Sequence, residues 1–313
     1  MNKVIFYICN KVHLLDLAGA VQVFYESGNY GHAYEIHFVS DQVEQLCSSR
    51  LGLFALEHFS SVVPGPGDIV IVPGYDLKQP PPDGSLPVYE WLRSLERSDT
   101  ILCSICTGAF MLAKAGVLEG RECTTHWTYT DRLQKEYPSL RVHKDKVFVR
   151  SGHIYTSAGV TTGIDLALYL LEERHGADFS YLVARDLVVY MRRNGNESQE
   201  SIYIKHRQHI NYPVHEVQDW IIHHLREKIT IEHLAGIVHT SPRNLTRLFK
   251  SATGITVGQY LEKLRLEKAL HLLREDCKIG EVALECGLQS TNQLRSLLRK
   301  HRGVLPSGLR SAV

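Results

Sequence analysis

The sequence predicts an α/β doubly wound parallel sheet of the flavodoxin-like type, followed by an all-α domain with two helix-turn-helix units. In the first half, short runs rich in Val and Ile alternate with helical patterns, which is typical of a parallel sheet covered by helices on both faces. From residue 214 onward, nearly every segment has helical periodicity. Within that part a capped-helix pattern occurs twice, beginning at Ser241 and Ser290, and such a repeat is typical of a tandem arrangement.

The elements of the α/β part can be assigned in order along the chain. Strands are predicted at residues 4–9, 36–40, 68–73, 100–106, 122–126, 147–150 and 153–156. Helices are predicted near residues 17–25, 87–97, 107–115, 163–174 and 178–193. A polar turn and an Asn-Tyr-Pro break follow. We therefore predict a first domain at 1–193, a linker at 194–213 and a helical domain at 214–313.

Charge is distributed unevenly between these domains. Residues 1–213 hold 20 Lys+Arg and 24 Asp+Glu, a net charge of −4, whereas residues 214–313 hold 15 and 10, a net charge of +5. A basic helical domain beside an acidic one is typical of a module that binds nucleic acid.

Cysteine and histidine usage, together with the apolar runs, limits the class of protein. The chain has seven cysteines, an odd number, and several lie in apolar runs. No run approaches the ~18 apolar residues of a membrane helix. None of the 17 histidines forms a metal spacing such as H-E-x-x-H. We expect a cytoplasmic protein with no membrane partner, no metal and no cofactor.

The first helix-turn-helix pattern is predicted to present a basic face. Ser241 is a suitable N-cap and Pro242 fits the first helical position. Apolar residues on the inner face leave four residues outside, Arg243, Asn244, Arg247 and Lys250. Because Arg pairs with guanine and Asn with adenine in the major groove, these four are predicted to contact DNA.

The second pattern repeats this design. Ser290 is the predicted cap, and the outer face carries Asn292, Gln293, Arg295 and Arg299. The helix between the units, residues 257–274, is expected to be about 27 Å long. Two units on that spacer suit successive major grooves, which lie about 34 Å apart. The alternative is that both patterns are ordinary solvated helix faces. That alternative does not explain why the capped-helix pattern occurs twice.

Residues 215–310 resemble the DNA-binding domain of the AraC/XylS family of transcriptional regulators. The resemblance is carried by residues 241–250, Thr253-Gly254, Tyr260-Leu261, Leu264-Arg265-Leu266, residues 279–283, Cys286-Gly287-Leu288, Gly303-Val304 and Pro306. The second unit departs from the family pattern, because Leu288, Leu294 and Leu298 stand where aromatics are usual and Ser296 where a basic residue is usual. We therefore hypothesise that the second unit binds DNA more weakly.

Cys106 lies where a predicted buried strand turns into a helix, the arrangement of a nucleophile elbow. A helix N-terminus favours the thiolate form of a nearby cysteine, so we expect Cys106 to be a thiolate. His126 follows the next predicted strand, where it could approach the sulfur. Gly74 and its neighbours end another strand, so their backbone N–H groups could bind an anionic oxygen. Trp127 is expected in the core, and Asp165 is expected to support a helix.

Residues 1–190 resemble the DJ-1/PfpI (class I glutamine amidotransferase-like) superfamily. The resemblance is carried by Ile71-Val72-Pro73-Gly74, residues 106–110, 112–113 and 115–116, Thr124-Thr125-His126-Trp127, Thr156-Ser157-Ala158-Gly159 and Gly163-Ile164-Asp165. Many members carry an acidic residue on the first loop, and Asp16 stands there. Joined to an AraC-type domain, this resembles a regulator architecture whose first domain senses a small metabolite.

Three interpretations of Cys106 remain open. It could be the nucleophile of an amidase- or hydratase-like enzyme with His126 and Asp16 as partners, or a thiol-oxidation sensor, or a pocket residue that performs no turnover. The paired spacing Cys103-x-x-Cys106 is discounted as a redox motif because Cys103 lies within the apolar strand. The DNA-binding output favours the third interpretation, with no catalytic residue and a ligand site of Asp16, Gly74, Cys106, Thr107 and His126.

The sequence thus predicts a sequence-specific DNA-binding transcriptional regulator. Its expected partners are double-stranded operator DNA, a small-molecule effector and a second copy bound through the first domain.

Overall fold

The computed structural model describes residues 1–78, 86–96, 99–189, 193, 195, 199, 202, 205–207, 209–274, 277–303 and 305–306. The chain divides into two compact units, Met1–Gln199 and Glu200–Val313. The division lies within the predicted linker 194–213, while the limits proposed for the domains stay predictions.

Eleven strands among the described residues belong to the first unit. They are β1 Lys3–Tyr7, β2 Glu35–Ser40, β3 Gln45–Leu46, β4 Gly52–Leu53, β5 Glu57–His58, β6 Ile69–Val72, β7 Ile101–Ile105, β8 Glu122–Cys123, β9 Arg141–Val142, β10 Phe148–Ser151 and β11 Ile154–Ser157. The main sheet has the order β10-β11-β7-β6-β1-β2-β5. All its neighbours are parallel except β10 and β11. The predicted doubly wound sheet is confirmed.

The helices of this unit cover both faces of the sheet. They are α1 Leu14–Glu26, α2 Leu86–Leu95, α3 Gly108–Lys114, α4 Thr130–Glu136, α5 Thr162–His175 and α6 Ala177–Asp186. Successive side chains of β1 point to opposite faces of the sheet, which gives one core on each face. Phe6 belongs to the core under α1 and α5, whereas Tyr7 belongs to the core under α2 and α3. The predicted helix 178–193 ends at Asp186, and residues 190–192 lie outside the described residues.

The strand predicted at 122–126 is wrong in length and in place. Only Glu122–Cys123 is extended, and it pairs with β9 outside the main sheet. Contacts with residues distant in sequence explain this: the Thr124 backbone N–H donates to Thr156 Oγ1 at 2.8 Å, and Thr124 Oγ1 donates to the His143 carbonyl at 2.7 Å. These side-chain bonds replace ladder bonds and turn the chain away.

The described part of the second unit contains helices and no strands. The helices are α7 Tyr212–His223, α8 Ile231–Ile237, α9 Pro242–Thr253, α10 Val257–Arg274, α11 Ile279–Glu285 and α12 Thr291–Arg302. Helix α10 joins two separate cores, since Tyr260 and Leu264 pack in the first and Ala269 and Leu273 in the second. No helix among the described residues has both the length and the apolar composition needed to cross a membrane.

Candidate functional site

The first helix-turn-helix unit consists of α8 and α9. Ser241 caps α9 as predicted, because its Oγ accepts from the Asn244 backbone N–H at 3.2 Å. Leu245 and Phe249 are buried against α8, and Arg243, Arg247 and Lys250 are exposed. Asn244 is half-buried, and its amide donates to Thr240 Oγ1 at 2.7 Å. The Asn244 side chain is therefore less exposed than the sequence predicts.

The second unit consists of α11 and α12. Ser290 caps α12 through the Gln293 backbone N–H at 3.3 Å. Leu294, Leu297 and Leu298 are buried, and the predicted contact residues Asn292, Gln293, Arg295 and Arg299 are all exposed. Gln293 is already engaged locally, since its Oε1 accepts from the Gln289 backbone N–H at 2.8 Å.

The two predicted recognition helices, α9 and α12, share a surface feature that was not predicted from the sequence. In α9, Arg247 donates to Asn244 Oδ1 at 2.9 Å, and in α12, Arg295 donates to Asn292 Oδ1 at 3.1 Å. Each pair is spaced i, i+3, which places both side chains on one helix face. The spacing itself was the available signal. These pairs pre-position one guanidinium on each helix.

The two units differ in how their cores are filled. The first contains an edge-on contact between Phe249 and Tyr260, with ring centroids 5.5 Å apart. The buried members described for the second are aliphatic residues and Cys286. Leu294 and Leu298 are fully buried, so leucines fill the positions where aromatics are usual.

The elbow at Cys106 is present as predicted. Cys106 has φ 55°, a left-handed conformation that non-glycine residues rarely adopt. Its backbone N–H donates to the Ser157 carbonyl at 3.0 Å, and its carbonyl accepts from Thr125 Oγ1 at 2.7 Å. These contacts from two neighbouring segments hold the strained residue between β7 and α3.

A carboxylate and an imidazole meet the sulfur. Asp16, in the first turn of α1, is 1% exposed, and its Oδ1 accepts from the Val160 backbone N–H at 2.5 Å. Its Oδ2 lies 3.3 Å from His13 Nδ1. One ligand-type atom from each of His13, Asp16 and Cys106 lies within 4.8 Å of the others, so this trio could hold a metal ion. The prediction of no metal stays a prediction.

Two glycines let the backbone approach this cluster. A Cβ at Gly74 would lie 2.3 Å from Asp16 Oδ2 and 2.8 Å from Cys106 Cβ. A Cβ at Gly159 would lie 2.2 Å from Cys106 Cβ and 2.8 Å from its Sγ, and Gly159 also has φ +96°. The structure thus brings Asp16, Gly74, Cys106 and Thr107 together and adds His13 and Gly159.

The predicted anion site at residues 73–75 is partly wrong. The Tyr75 backbone N–H donates to Thr107 Oγ1 at 2.8 Å, and the same hydroxyl donates to the Tyr75 carbonyl at 2.7 Å. Thr107 is fully buried. It therefore fixes the end of β6 to the elbow, and the Tyr75 N–H is already engaged.

His126 and Trp127 differ from expectation. His126 does not end a strand; it precedes a 3-10 helix, Trp127–Tyr129, and its Nδ1 accepts from the Thr128 backbone N–H at 3.4 Å. It is half-buried and is not a member of the His13–Asp16–Cys106 trio. Trp127 is 46% exposed, so its placement in the core was wrong.

The expected thiolate at Cys106 is not supported. Burial raises the pKa of the Cys106 thiol well above its ordinary value, and the Asp16 carboxylate raises it further. The hydrogen bond from the Thr107 backbone lowers the pKa by less. Desolvation therefore outweighs the helix N-terminus, and the thiol is protonated at neutral pH.

We expect slow alkylation of Cys106 as a consequence. In native protein at about pH 7.5, iodoacetamide should modify Cys106 more slowly than the half-exposed Cys277. The rate at Cys106 should rise with pH, because its raised pKa leaves little thiolate at neutrality. Asp16→Asn should accelerate the reaction, since removing the charge lowers the thiol pKa. Peptide mass spectrometry measures both rates, with Glu119→Gln as control. Faster modification of Cys106 than of Cys277 would contradict the assignment.

Two residues near the end of the first unit bind on either side of the elbow. Arg193 donates through Nε and Nη2 to Asp165 Oδ2 at 2.9 and 2.7 Å. Gln199 Nε2 donates to Thr124 Oγ1 and to the Thr125 carbonyl, both at 3.1 Å. Asp165 thus buttresses structure rather than acting chemically. Neither anchor was predicted from the sequence, because their partners lie 28 and about 75 residues away.

Comparison with known proteins agrees with this architecture. Residues 2–173 match the model of the DJ-1/PfpI family, and residues 234–312 match that of a helix-turn-helix domain. The HTH-type transcriptional regulator GbdR of Pseudomonas aeruginosa is 30% identical over 218 residues, which cover 69% of this chain and 59% of the relative. An isonitrile hydratase of Pseudomonas putida is 38% identical over 122 residues, which cover 38% of this chain and 51% of the enzyme.

Solved structures support the fold. The crystal structure of an AraC family transcriptional regulator from Pseudomonas putida has a TM-score of 0.53 at 19% identity, and the match covers 60% of this chain and 100% of that one. From its matched sequence, its sheet and its elbow, the chain belongs to the DJ-1/PfpI family, and it carries an AraC-type helix-turn-helix domain.

Proposed function

We propose that this protein is a DNA-binding transcriptional regulator whose first unit binds a small metabolite. The observation that carries the proposal is the pair of capped helices α9 and α12, each with an exposed arginine face and each fixed by its own core to the shared helix α10. Relatives named as HTH-type transcriptional regulators support it.

The DNA contacts proposed are seven exposed residues and the half-buried Asn244. They are Arg243, Asn244, Arg247 and Lys250 on α9, and Asn292, Gln293, Arg295 and Arg299 on α12. Basic side chains supply sequence-independent phosphate contacts, while Arg and Asn supply base recognition. The remaining parts of the proposal are a cytoplasmic location and a homodimer formed through the first unit.

The effector site proposed is the buried cluster at the elbow. Asp16, Gly74, Cys106 and Thr107 converge there, with His126 on the segment that follows Thr125. The Asp16 carboxylate is buried and already bound on one oxygen by the Val160 N–H. A polar metabolite that reaches Oδ2 would gain a charge-assisted hydrogen bond.

A route from this site toward the linker is also proposed. Val160 immediately precedes the first turn of α5, where Asp165 binds Arg193, and Thr125 binds both Cys106 and Gln199. A ligand that displaces the Val160–Asp16 bond would therefore bias how residues 193 and 199 are held. Differential affinity of the ligand for two such arrangements is what regulation requires.

An enzyme is the principal alternative, and one observation favours it: the Cys106 sulfur lies within 4.8 Å of an Asp16 carboxylate oxygen, as a nucleophile and a proton carrier would. The similarity to an isonitrile hydratase points the same way. The raised thiol pKa and the helix-turn-helix domain favour sensing without turnover. A thiol-oxidation sensor is a further alternative, and the raised pKa argues against it.

A thermal-shift screen with amino acids, amines and quaternary ammonium compounds identifies the effector, because a ligand selective for native protein raises Tm.

Substitution of Cys106 then separates these functions. We then expect Cys106→Ser to keep the promoter response to that effector, because serine retains a small hydrogen-bonding side chain. Asp16→Asn should weaken effector binding about tenfold or more, since a bond to a charged group is lost.

Promoter fusions and calorimetry on the same variants measure these outcomes. Glu119→Gln, an exposed acidic substitution elsewhere on the unit, is the control. Loss of the promoter response in Cys106→Ser with effector binding intact would indicate catalysis. Loss of a peroxide-dependent response in that variant would indicate a thiol-oxidation sensor.

A further inference from the structure

A cavity opens beyond the carboxyl ends of β1 and β2. Its volume is about 540 Å³, and its lining includes Tyr7, Asp41, Glu44, Gln45, Leu46 and Phe54. It shares no lining residue with the His13–Asp16–Cys106 trio. The loops that follow parallel strands commonly build ligand sites in open α/β sheets.

The charge in this cavity is negative. Asp41 and Glu44 contribute two carboxylates, and no Lys or Arg belongs to the lining. The Asp41 contacts in the described structure are with neutral donors, Ser40 Oγ at 3.2 Å and Gln45 Nε2 at 3.1 Å. Within the described ranges neither carboxylate forms an ion pair, so both remain available to a cation.

Tyr7 also lines the cavity, and its hydroxyl has no hydrogen-bond partner among the described residues. Tyr7 is 2% exposed, and its ring packs against Phe59 and Trp91. Burial raises the pKa of Tyr7 well above its ordinary value, with further contributions from Cys9 and Asp41. The neutral phenol can therefore accept or donate one hydrogen bond to a ligand.

The outer part of the cavity is apolar. Leu46 is 47% exposed and Phe54 is 72% exposed. Large apolar side chains exposed next to acidic groups suit a ligand that carries a cation at one end and an apolar body at the other.

We propose that this cavity binds a small protonated primary amine with an apolar body. An ammonium donates three hydrogen bonds, and Asp41, Glu44 and the Tyr7 hydroxyl offer three acceptors. Leu46 and Phe54 then cover the apolar part. The site is independent of the elbow and of the function proposed above.

Calorimetry with 2-phenylethylammonium tests this, using the full chain at neutral pH. The amine should bind, while its neutral isostere 2-phenylethanol and its acidic counterpart phenylacetate should bind at least about tenfold more weakly, as expected for loss of a charge-assisted bond. Asp41→Asn and Tyr7→Phe should each weaken amine binding. Glu44→Gln is the further variant, because Glu44 is exposed and its substitution does not threaten folding.

Controls make the result specific to the cavity. Glu119→Gln and Cys106→Ser should leave amine binding unchanged, and circular dichroism should establish that each variant is folded. Equal binding of the amine and the alcohol, or amine binding unaffected by both Asp41→Asn and Glu44→Gln, would overturn the proposal. Absence of amine binding to the parent chain would overturn it as well.

Discussion

Replacing Arg243 by alanine is expected to weaken operator binding about 10- to 100-fold, more than the same change at Arg295. A well-placed arginine contributes about 1–3 kcal/mol of base discrimination. Arg243 is exposed in the first turn of α9 and has no hydrogen-bond partner among the described residues, so it is free for a base. Arg295 lies on a helix whose described core lacks an aromatic contact.

Gel shifts at fixed salt on an operator selected from random duplexes measure both losses. Lys228→Ala is the matched control, because Lys228 is exposed, basic and outside both recognition helices. It should change operator affinity much less than Arg243→Ala, because no base contact is lost. Equal losses from Arg243→Ala and Arg295→Ala would refute the inequality of the two units.

Gly159→Ala is expected to destabilise the first unit by about 2–6 kcal/mol. The left-handed backbone contributes about 1–3 kcal/mol of strain, and forced overlap contributes about 1–3 kcal/mol. The overlap is with Cys106, whose Cβ would lie 2.2 Å from the new methyl group. Since the neighbour is itself a strained elbow residue, it has little freedom to move.

Gly152→Ala is the matched control for this prediction. Gly152 also has a positive φ, +67°, but the nearest atom to its Cβ would be Arg121 Nη1 at 3.8 Å. Only the conformational cost of about 1–2 kcal/mol applies there. Urea unfolding followed by Trp91 and Trp127 fluorescence in a Trp220→Phe background compares the two variants. Similar losses would mean that crowding at Cys106 is unimportant.

The sequence was sufficient where local pattern decides structure. Apolar runs placed β1, β6 and β7 within one or two residues, because continuous burial leaves little choice of face. They placed β2 equally well, although only its last two residues are buried. Ser241 and Ser290 were recognised as caps because a cap needs only its own first turn. The elbow at Cys106 followed from a strand that runs directly into a helix.

The sequence was insufficient where distant segments decide structure. His13 was missed as a neighbour of Cys106 because its contact depends on how the loop after β1 meets the elbow. The spacing of His13 and Asp16 across a helix start was the available signal. The thiolate expectation failed for the same reason, because the helix N-terminus is visible in sequence but the burial and the Asp16 charge are not.

We propose above all that the protein is a sequence-specific regulator that binds DNA with two unequal units. The most direct test is to let the full chain select duplexes from a random pool. We expect one enriched motif with two conserved segments about one helical turn apart. The segment bound by the Arg243 unit should be the more strongly conserved of the two. Arg243→Ala should abolish the conservation of that segment. A pool without any enriched sequence would contradict the claim.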